Sequence, residues 1–167
     1  MIAKTYIQEN LRQLDTAYRK SQSPKHGLYF AKLAILELCG WIEVSMDDIV
    51  LKHCSRCIFD SNNTKYVEKQ IVGRTSGFDY DVNFRGMLIR LVGIVTCEII
   101  ESAVDSTIDT KFKAHLHSLK TARNSLAHTY VKGKPGAVSI DAPSVTKARF
   151  PDLYEGLREY ETVLKSL

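Results

Sequence analysis

The sequence predicts an all-α fold: an up-and-down bundle of four to five helices in a single domain spanning residues 1–167. Three observations carry this expectation. Apolar residues recur every three or four positions through most of the chain, the spacing of one helical face. The composition, 44% hydrophobic and 25% charged, fits one core-forming domain and excludes disorder and collagen. No segment repeats, and no stretch is rich enough in Pro, Gly or Ser to link two domains.

The elements follow in order. From about Ala3 to Arg19, Ile7, Leu11, Leu14 and Tyr18 mark one helical face. Ser21 to Gly27 interrupts the pattern. Leu28, Ala31, Ile35, Leu38, Ile42, Met46 and Ile49 then repeat it over about seven turns, and Leu33, Ala34, Trp41 and Val50 widen the stripe, as expected of a central helix. The period weakens from Ser55 to Asn63, resumes in Tyr66 to Val72 and breaks at the turn-rich Gly73-Arg74-Thr75-Ser76-Gly77. A third long helix is expected from Met87 to Val104, and Asp105-Ser106-Thr107 reads as the cap of the next. That next helix carries Ile108, Phe112, Leu116, Leu119 and Leu126 to about His128 or Tyr130. Pro-Gly chemistry between β-branched residues suggests a short hairpin or an ordered loop near 130–142. Pro151 suits a helix start, and Leu153, Leu157, Tyr160 and Leu164 define the C-terminal helix.

Charge narrows the function classes. The net charge of +4 looks neutral, but residues 111–150 hold eight Lys or Arg against one Asp, a local +7 on a body of net −3. Clustering of that kind is an electrostatic footprint for phosphates, with a solvated basic face as the plain structural alternative. The N-terminal residues contain no continuous apolar run of the kind a secretory signal needs, so the expected location is cytoplasmic. The longest apolar run, Gly86 to Cys97, is interrupted by Arg90 and is too short to span a bilayer; it reads as a buried core helix, and no membrane partner is expected. Cys39, Cys54, Cys57 and Cys97 read as reduced thiols. His53-Cys54-Ser55-Arg56-Cys57 has a C-x2-C pair beside a histidine but no second pair at suitable spacing, so no metal and no cofactor is expected. Phosphate-binding, nucleophile-elbow and dinucleotide fingerprints are absent.

The densest group of chemically capable residues is Arg123-Asn124-Ser125-Leu126-Ala127-His128-Thr129-Tyr130. This string resembles the R-x4-H motif of HEPN domains, an all-helical superfamily whose active members are metal-independent ribonucleases. Tyr130 matches the longer R-x4-H-x-Y form of HEPN toxins paired with nucleotidyltransferase antitoxins. The stretches Ala31 to Glu43 and Val82 to Leu88, with Gly93 after them, resemble earlier helices of one HEPN branch. The resemblance implies a HEPN-like bundle acting as a toxin or antiviral effector on RNA. It also implies a homodimer whose two motifs share a cleft, with an antitoxin or other defence-system partner. Tyr130 would then be the site where a partner attaches adenylate.

The residue types make chemical sense without the family. Attack by an RNA 2′-hydroxyl on the adjacent phosphate needs a proton acceptor, charge stabilisation and a proton for the leaving 5′-oxygen. Histidine suits the proton steps because its ordinary pKa lies near working pH, so His128 is the expected base or acid. Arg123 is the expected phosphate clamp, and Asn124, one turn before His128, could orient the imidazole. On a continuous helix Arg123 and His128 stand about 140° apart, so either the helix bends within the motif or a second copy completes the site. Lys111, Lys113, Lys120, Lys132 and Lys134 are expected RNA-backbone contacts, with His115 and His117 on the same basic face. Phe78 and Tyr80 could stack an unpaired base, although packing over the bundle end is the stronger expectation. The alternative function is a non-catalytic HEPN module binding RNA, a nucleotide or a partner protein; a purely structural bundle is a third.

Overall fold

The structure is a computed structural model and describes residues 1–127 and 139–167, with the side chain of residue 127 excepted. All regular structure among them is helical. The segments are α1 (Thr5–Lys20), α2 (Pro24–Cys57), α3 (Ser61–Tyr66) running into a π-helical turn (Val67–Val72), and a second π-helical turn (Tyr80–Phe84) leading into α4 (Arg85–Val92). After these come α5 (Ile94–Ala103), α6 (Ser106–Ala127), α7 (Pro143–Ala148) and α8 (Phe150–Ser166). These are more segments than the four or five expected. No helix among the described residues is long and apolar enough to cross a membrane. The hairpin or loop expected near 130–142 lies mostly outside the described residues, and Ser139 to Ala142 carries no helix.

α2 is the axis of the molecule. Its 34 residues make it roughly 50 Å long, and it packs against α1, α4, α6, α7 and α8. Its buried residues, among them Ala34, Leu38, Ile42, Met46 and Val50, form one broad stripe along its length, as that position requires. The helix extends beyond the apolar stripe at both ends. Pro24 takes its first turn, where a missing N–H costs nothing, and the helix continues to Cys57 although the apolar period has weakened. Leu33, read as part of the core stripe, is instead exposed.

The long helix expected from Met87 to Val104 is a helical hairpin. Gly93 stands at φ +81°, a left-handed backbone setting that glycine adopts at little cost, and α4 folds back on α5 there. Arg85 and Glu101 pair at 2.8 Å across its open end. The reversal turns Ile94, Val95 and Ile99 outward, so the apolar run is only half core; Met87, Leu88, Cys97 and Ile100 are its buried half. Arg90 faces solvent.

Two contacts fix α6, which carries the motif. Asp105 caps it, accepting from the N–H groups of Thr107 (2.8 Å) and Ile108 (3.0 Å). Phe112, Leu116 and Leu119 are buried on one face, and Phe112 lies directly over Gly156 of α8. A polar network crosses the same interface. The Tyr160 hydroxyl is 2.8 Å from both the Tyr80 hydroxyl and the Asp109 carboxylate, Tyr80 donates to Glu101 at 2.7 Å, and Lys113 pairs with Asp109 at 2.6 Å while lying over the Tyr80 ring. Burial pushes both phenols well above the usual tyrosine range. This network joins the turn before α4 to α5, α6 and α8.

Candidate functional site

The last turns of α6 deliver Arg123 and Asn124 to one end of the bundle, beside the loop that precedes α4. Arg123 is half-buried and Asn124 exposed. Together with Gly77, Asp79, Asn83 and Lys120 they bound an open recess of about 250 Å³. The loop is tied down on both sides. Glu43 of α2 accepts the Gly77 N–H, and Lys120 of α6 pairs with Asp79 at 2.6 Å. Asp79 also caps the following turn through Val82 N–H (2.9 Å), while its own N–H donates to Asn83 Oδ1 (2.9 Å) and Asn83 Nδ2 donates to Ser76 O (3.0 Å). Gly77, at φ +108°, lies close under the Asn83 amide, so a side chain there would be strained. The Lys120 ammonium, with the Val82 N–H behind it, holds the Asp79 carboxyl below its usual range.

Glu43, which holds this loop, stands on α2 between Cys39 and Asp47 at four-residue spacing, all three on one face of the helix. Burial pushes the Cys39 thiol up to about 12, with Arg123 and Arg149 opposing the shift and Glu43 reinforcing it; the thiol is protonated and a poor nucleophile. Burial, then the neighbouring charges of Glu43 and Asp48, raise the Asp47 carboxyl to about 6. A carboxyl that changes charge near neutrality stands two turns along α2 from Cys39, with Glu43 between them.

Compared with known protein families, curated proteins and solved structures, the chain matches none. The site therefore stands on its own geometry.

Of the residues expected from the sequence, Arg123, Asn124 and Lys120 meet at the recess. The Arg123 Nη1 lies 3.4 Å from Asn124 Oδ1, and no carboxylate among the described residues pairs with it. Lys113 and Lys120, both expected to touch RNA, are ion-paired with Asp109 and Asp79, while Lys111 is exposed. His115 Nε2 is 3.0 Å from Asp152, and His117 is exposed. His128, Tyr130, Lys132 and Lys134 lie outside the described residues. Phe78 and Tyr80 are buried, so neither ring is presented for stacking. Cys39, Cys54 and Cys97 are buried free thiols and Cys57 is an exposed one. His53 Nδ1 faces the Leu164 carbonyl at 3.1 Å, and among the described residues no three metal-ligating side chains converge.

Sequence reasoning missed Glu43, Asp47, Asp79 and Asn83. The four-residue spacing of Cys39, Glu43 and Asp47 was available as a signal. The approach of Asp79 to Lys120 is created by the fold.

Proposed function

We propose that the chain is a HEPN-type, metal-independent endoribonuclease acting as a homodimer, in a toxin or antiviral setting. One observation carries the reading. Arg123 begins the RNSLAHTY string, stands at the rim of a recess on the last turns of α6, and is not neutralised by a carboxylate among the described residues, whereas Lys113 and Lys120 on the same helix are. A guanidinium in that setting keeps its donors for a phosphate.

In the proposed reaction His128 takes the proton of a 2′-hydroxyl, the 2′-oxygen attacks the adjacent phosphorus, and Arg123 stabilises the charge gathering on the non-bridging oxygens. The P–O5′ bond then breaks, and the 5′-oxygen leaves with a proton from the His128 of the second copy that completes the proposed cleft. The products are a 2′,3′-cyclic phosphate and a 5′-hydroxyl. Asn124 would orient the imidazole, and Lys111, Lys132 and Lys134 would guide the RNA backbone. On any continuous helix, residues spaced as Arg123 and His128 are stand about 140° apart. That favours a cleft shared with the motif of a second copy. Tyr130 is the candidate for adenylation by a nucleotidyltransferase partner.

The test is cleavage of single-stranded RNA in the presence of excess chelator by wild type, Arg123→Ala and His128→Ala, with product ends identified by mass spectrometry. Wild-type cleavage to cyclic phosphates is expected, with losses of about 100-fold or more in either variant. A His128→Ala protein that cleaves at the wild-type rate overturns the assignment. Wild-type protein that binds the RNA without cleaving it would instead favour the non-catalytic module.

A further inference from the structure

We propose that the outward stripe of α2 is the surface along which two copies of this chain pair, antiparallel and crossing at Gly40. The proposal rests on the homodimer in the reading above and names the surface that joins the two copies.

α2 carries a second apolar stripe on the side turned away from the core. Tyr29, Leu33, Leu36, Gly40, Val44 and Leu51 lie within about 40° of one line along the helix. Tyr29 and Leu33 are each 43% exposed and Val44 61%, while Leu36 and Leu51 are half-buried. Over about 33 Å of helix the stripe presents roughly 300 Å² per copy, a size at which an exposed apolar patch is often functional.

Gly40 marks where the partner comes closest. It is exposed in mid-helix, its φ is not positive, and nothing lies within 4 Å of an added Cβ. No contact among the described residues calls for a glycine there, yet glycine costs an exposed helix about 1 kcal/mol against alanine. A helix crossing at that point accounts for it, since a small residue lets two axes approach to about 8 Å.

The symmetry of the stripe selects a second copy as the occupant. A twofold interface must be complementary to itself, and Gly40 stands at the middle of Pro24–Cys57. A twofold axis through Gly40 sets Leu36 against Val44 and Tyr29 against Leu51, and at the flanks Lys32 against Asp48, which also pairs with Lys52 of its own helix. Apolar side chains meet apolar ones, and opposite charges meet. Leu33 falls against Asp47, whose carboxyl is already pushed up to about 6 and can be covered as the neutral acid. Glu37 and Glu43, the flanking acids that would face each other, are held by their own copy through Asn10 Nδ2 at 3.2 Å and the Gly77 N–H. The seam also adjoins the site. Gly77, which Glu43 holds, lines the recess with Arg123 and Asn124, so pairing along α2 brings both recesses beside one seam.

Sedimentation velocity over a concentration series compares wild type with Gly40→Glu and Val44→Glu, and circular dichroism gives each Tm. Because a side chain added at Gly40 meets nothing in its own chain, Gly40→Glu should fold as well as wild type. It is expected to weaken dimerisation about 100-fold or more by burying two unpaired charges at the crossing, and Val44→Glu about tenfold or more. Gly40→Ala, whose methyl still fits the crossing, should stay within about threefold of wild type. A second measurement does not depend on disruption. In a Cys57→Ser background, Gly40→Cys is expected to form an intermolecular disulfide on oxidation with diamide, and Thr162→Cys, exposed on α8, is not. A dimer that survives both glutamates, or that Gly40→Cys does not cross-link, overturns the surface and leaves the homodimeric ribonuclease reading standing. A wild type that is monomeric throughout overturns the surface and the shared cleft together. Glutamate variants that are monomeric, folded and still cleave RNA at the wild-type rate sustain the surface and remove the shared cleft from the ribonuclease reading.

Discussion

Replacing Gly156 with alanine tests whether the contact between α6 and α8 is as close as the structure has it. A Cβ at this position would lie 2.5 Å from Phe112 Cγ and 2.6 Å from its Cβ and Cδ2, against an ordinary carbon contact of about 3.5–4 Å. The overlap is therefore about 1 Å, and it falls on the root of the Phe112 side chain, so rotating the ring cannot relieve it. Phe112 is fully buried and packs against the Tyr160 ring at 5.9 Å. The two helices must move apart. Overpacking of this kind costs about 1–3 kcal/mol, and the helix propensity of alanine returns up to about 1 kcal/mol. A net loss of about 1–2 kcal/mol corresponds to a Tm lower by roughly 2–8 °C in a chain of this size.

Gly40 supplies the control. It sits inside α2 with nothing within 4 Å of the added Cβ, so Gly40→Ala should raise the Tm by about 2–4 °C through propensity alone. Thermal unfolding followed by circular dichroism reads both variants. Opposite signs are expected from the same chemical change. A Gly156→Ala protein as stable as Gly40→Ala would refute the close packing of α6 on α8. On the proposed ribonuclease reading, displacement of α6, which carries Arg123, should also lower RNA cleavage by Gly156→Ala beyond what its fraction unfolded explains.

The Asp47 carboxyl, raised to about 6 from an ordinary value near 4, makes the folded state bind a proton that the unfolded state releases. Its ionisation therefore costs stability that is fully present below pH ~4 and lost as pH rises through about 6. Asp47→Asn should unfold at a higher temperature than wild type at pH 8, by about 2–4 °C for roughly 1 kcal/mol after solvent screening, and match it near pH 4; a constant difference across that range would refute the burial argument. Tyr160→Phe removes the hydroxyl shared by Tyr80 and Asp109 and should cost about 2 kcal/mol, or roughly 4–8 °C in Tm. An unchanged Tm would mean that the buried network contributes nothing.

The helices whose burial is one-sided were legible in the sequence. α1 and α8 bury a single stripe each, so Ile7 and Leu11, and Leu153, Leu157, Tyr160 and Leu164, appear at the spacing the core requires. The hairpin at Gly93 was not legible, because Ile94, Val95 and Ile99 continue the apolar pattern that Met87 and Leu88 begin. Apolar spacing records which residues dislike water and not whether the fold hides them. The π-helical turns at Val67–Val72 and Tyr80–Phe84 leave no signature either, since one extra residue per turn shifts the period too little to register over five or six positions. At the site, Arg123 and Asn124 were found because a short string identified them. Glu43 and Asp79 enter through contacts spanning 34 and 41 residues; four-residue spacing on α2 hints at the first, and no local pattern announces the second.

The same distinction changes what the basic segment means. Counted along the chain, residues 111–150 are +7. In the fold, Lys113, Lys120 and Arg149 each meet a carboxylate at 2.6–2.7 Å, and two of those carboxylates, Asp109 and Asp79, come from the acidic stretch before the segment. Close pairs of this kind cancel most of their field within a few ångströms, so they steer an anion weakly. Among the described residues of the segment, Lys111, Arg123 and Lys147 meet no carboxylate. Lys111 belongs to the first half of α6, Arg123 to its last turns and Lys147 to α7. The potential is therefore not a stripe along α6 but a few separated points, one of them at the recess beside the motif. On the proposed reading two consequences follow for a phosphate chain: it would feel little attraction to the middle of α6, and it would find its strongest fixed donors at Arg123. That reading therefore requires specific placement at Arg123 rather than general adhesion to a basic face.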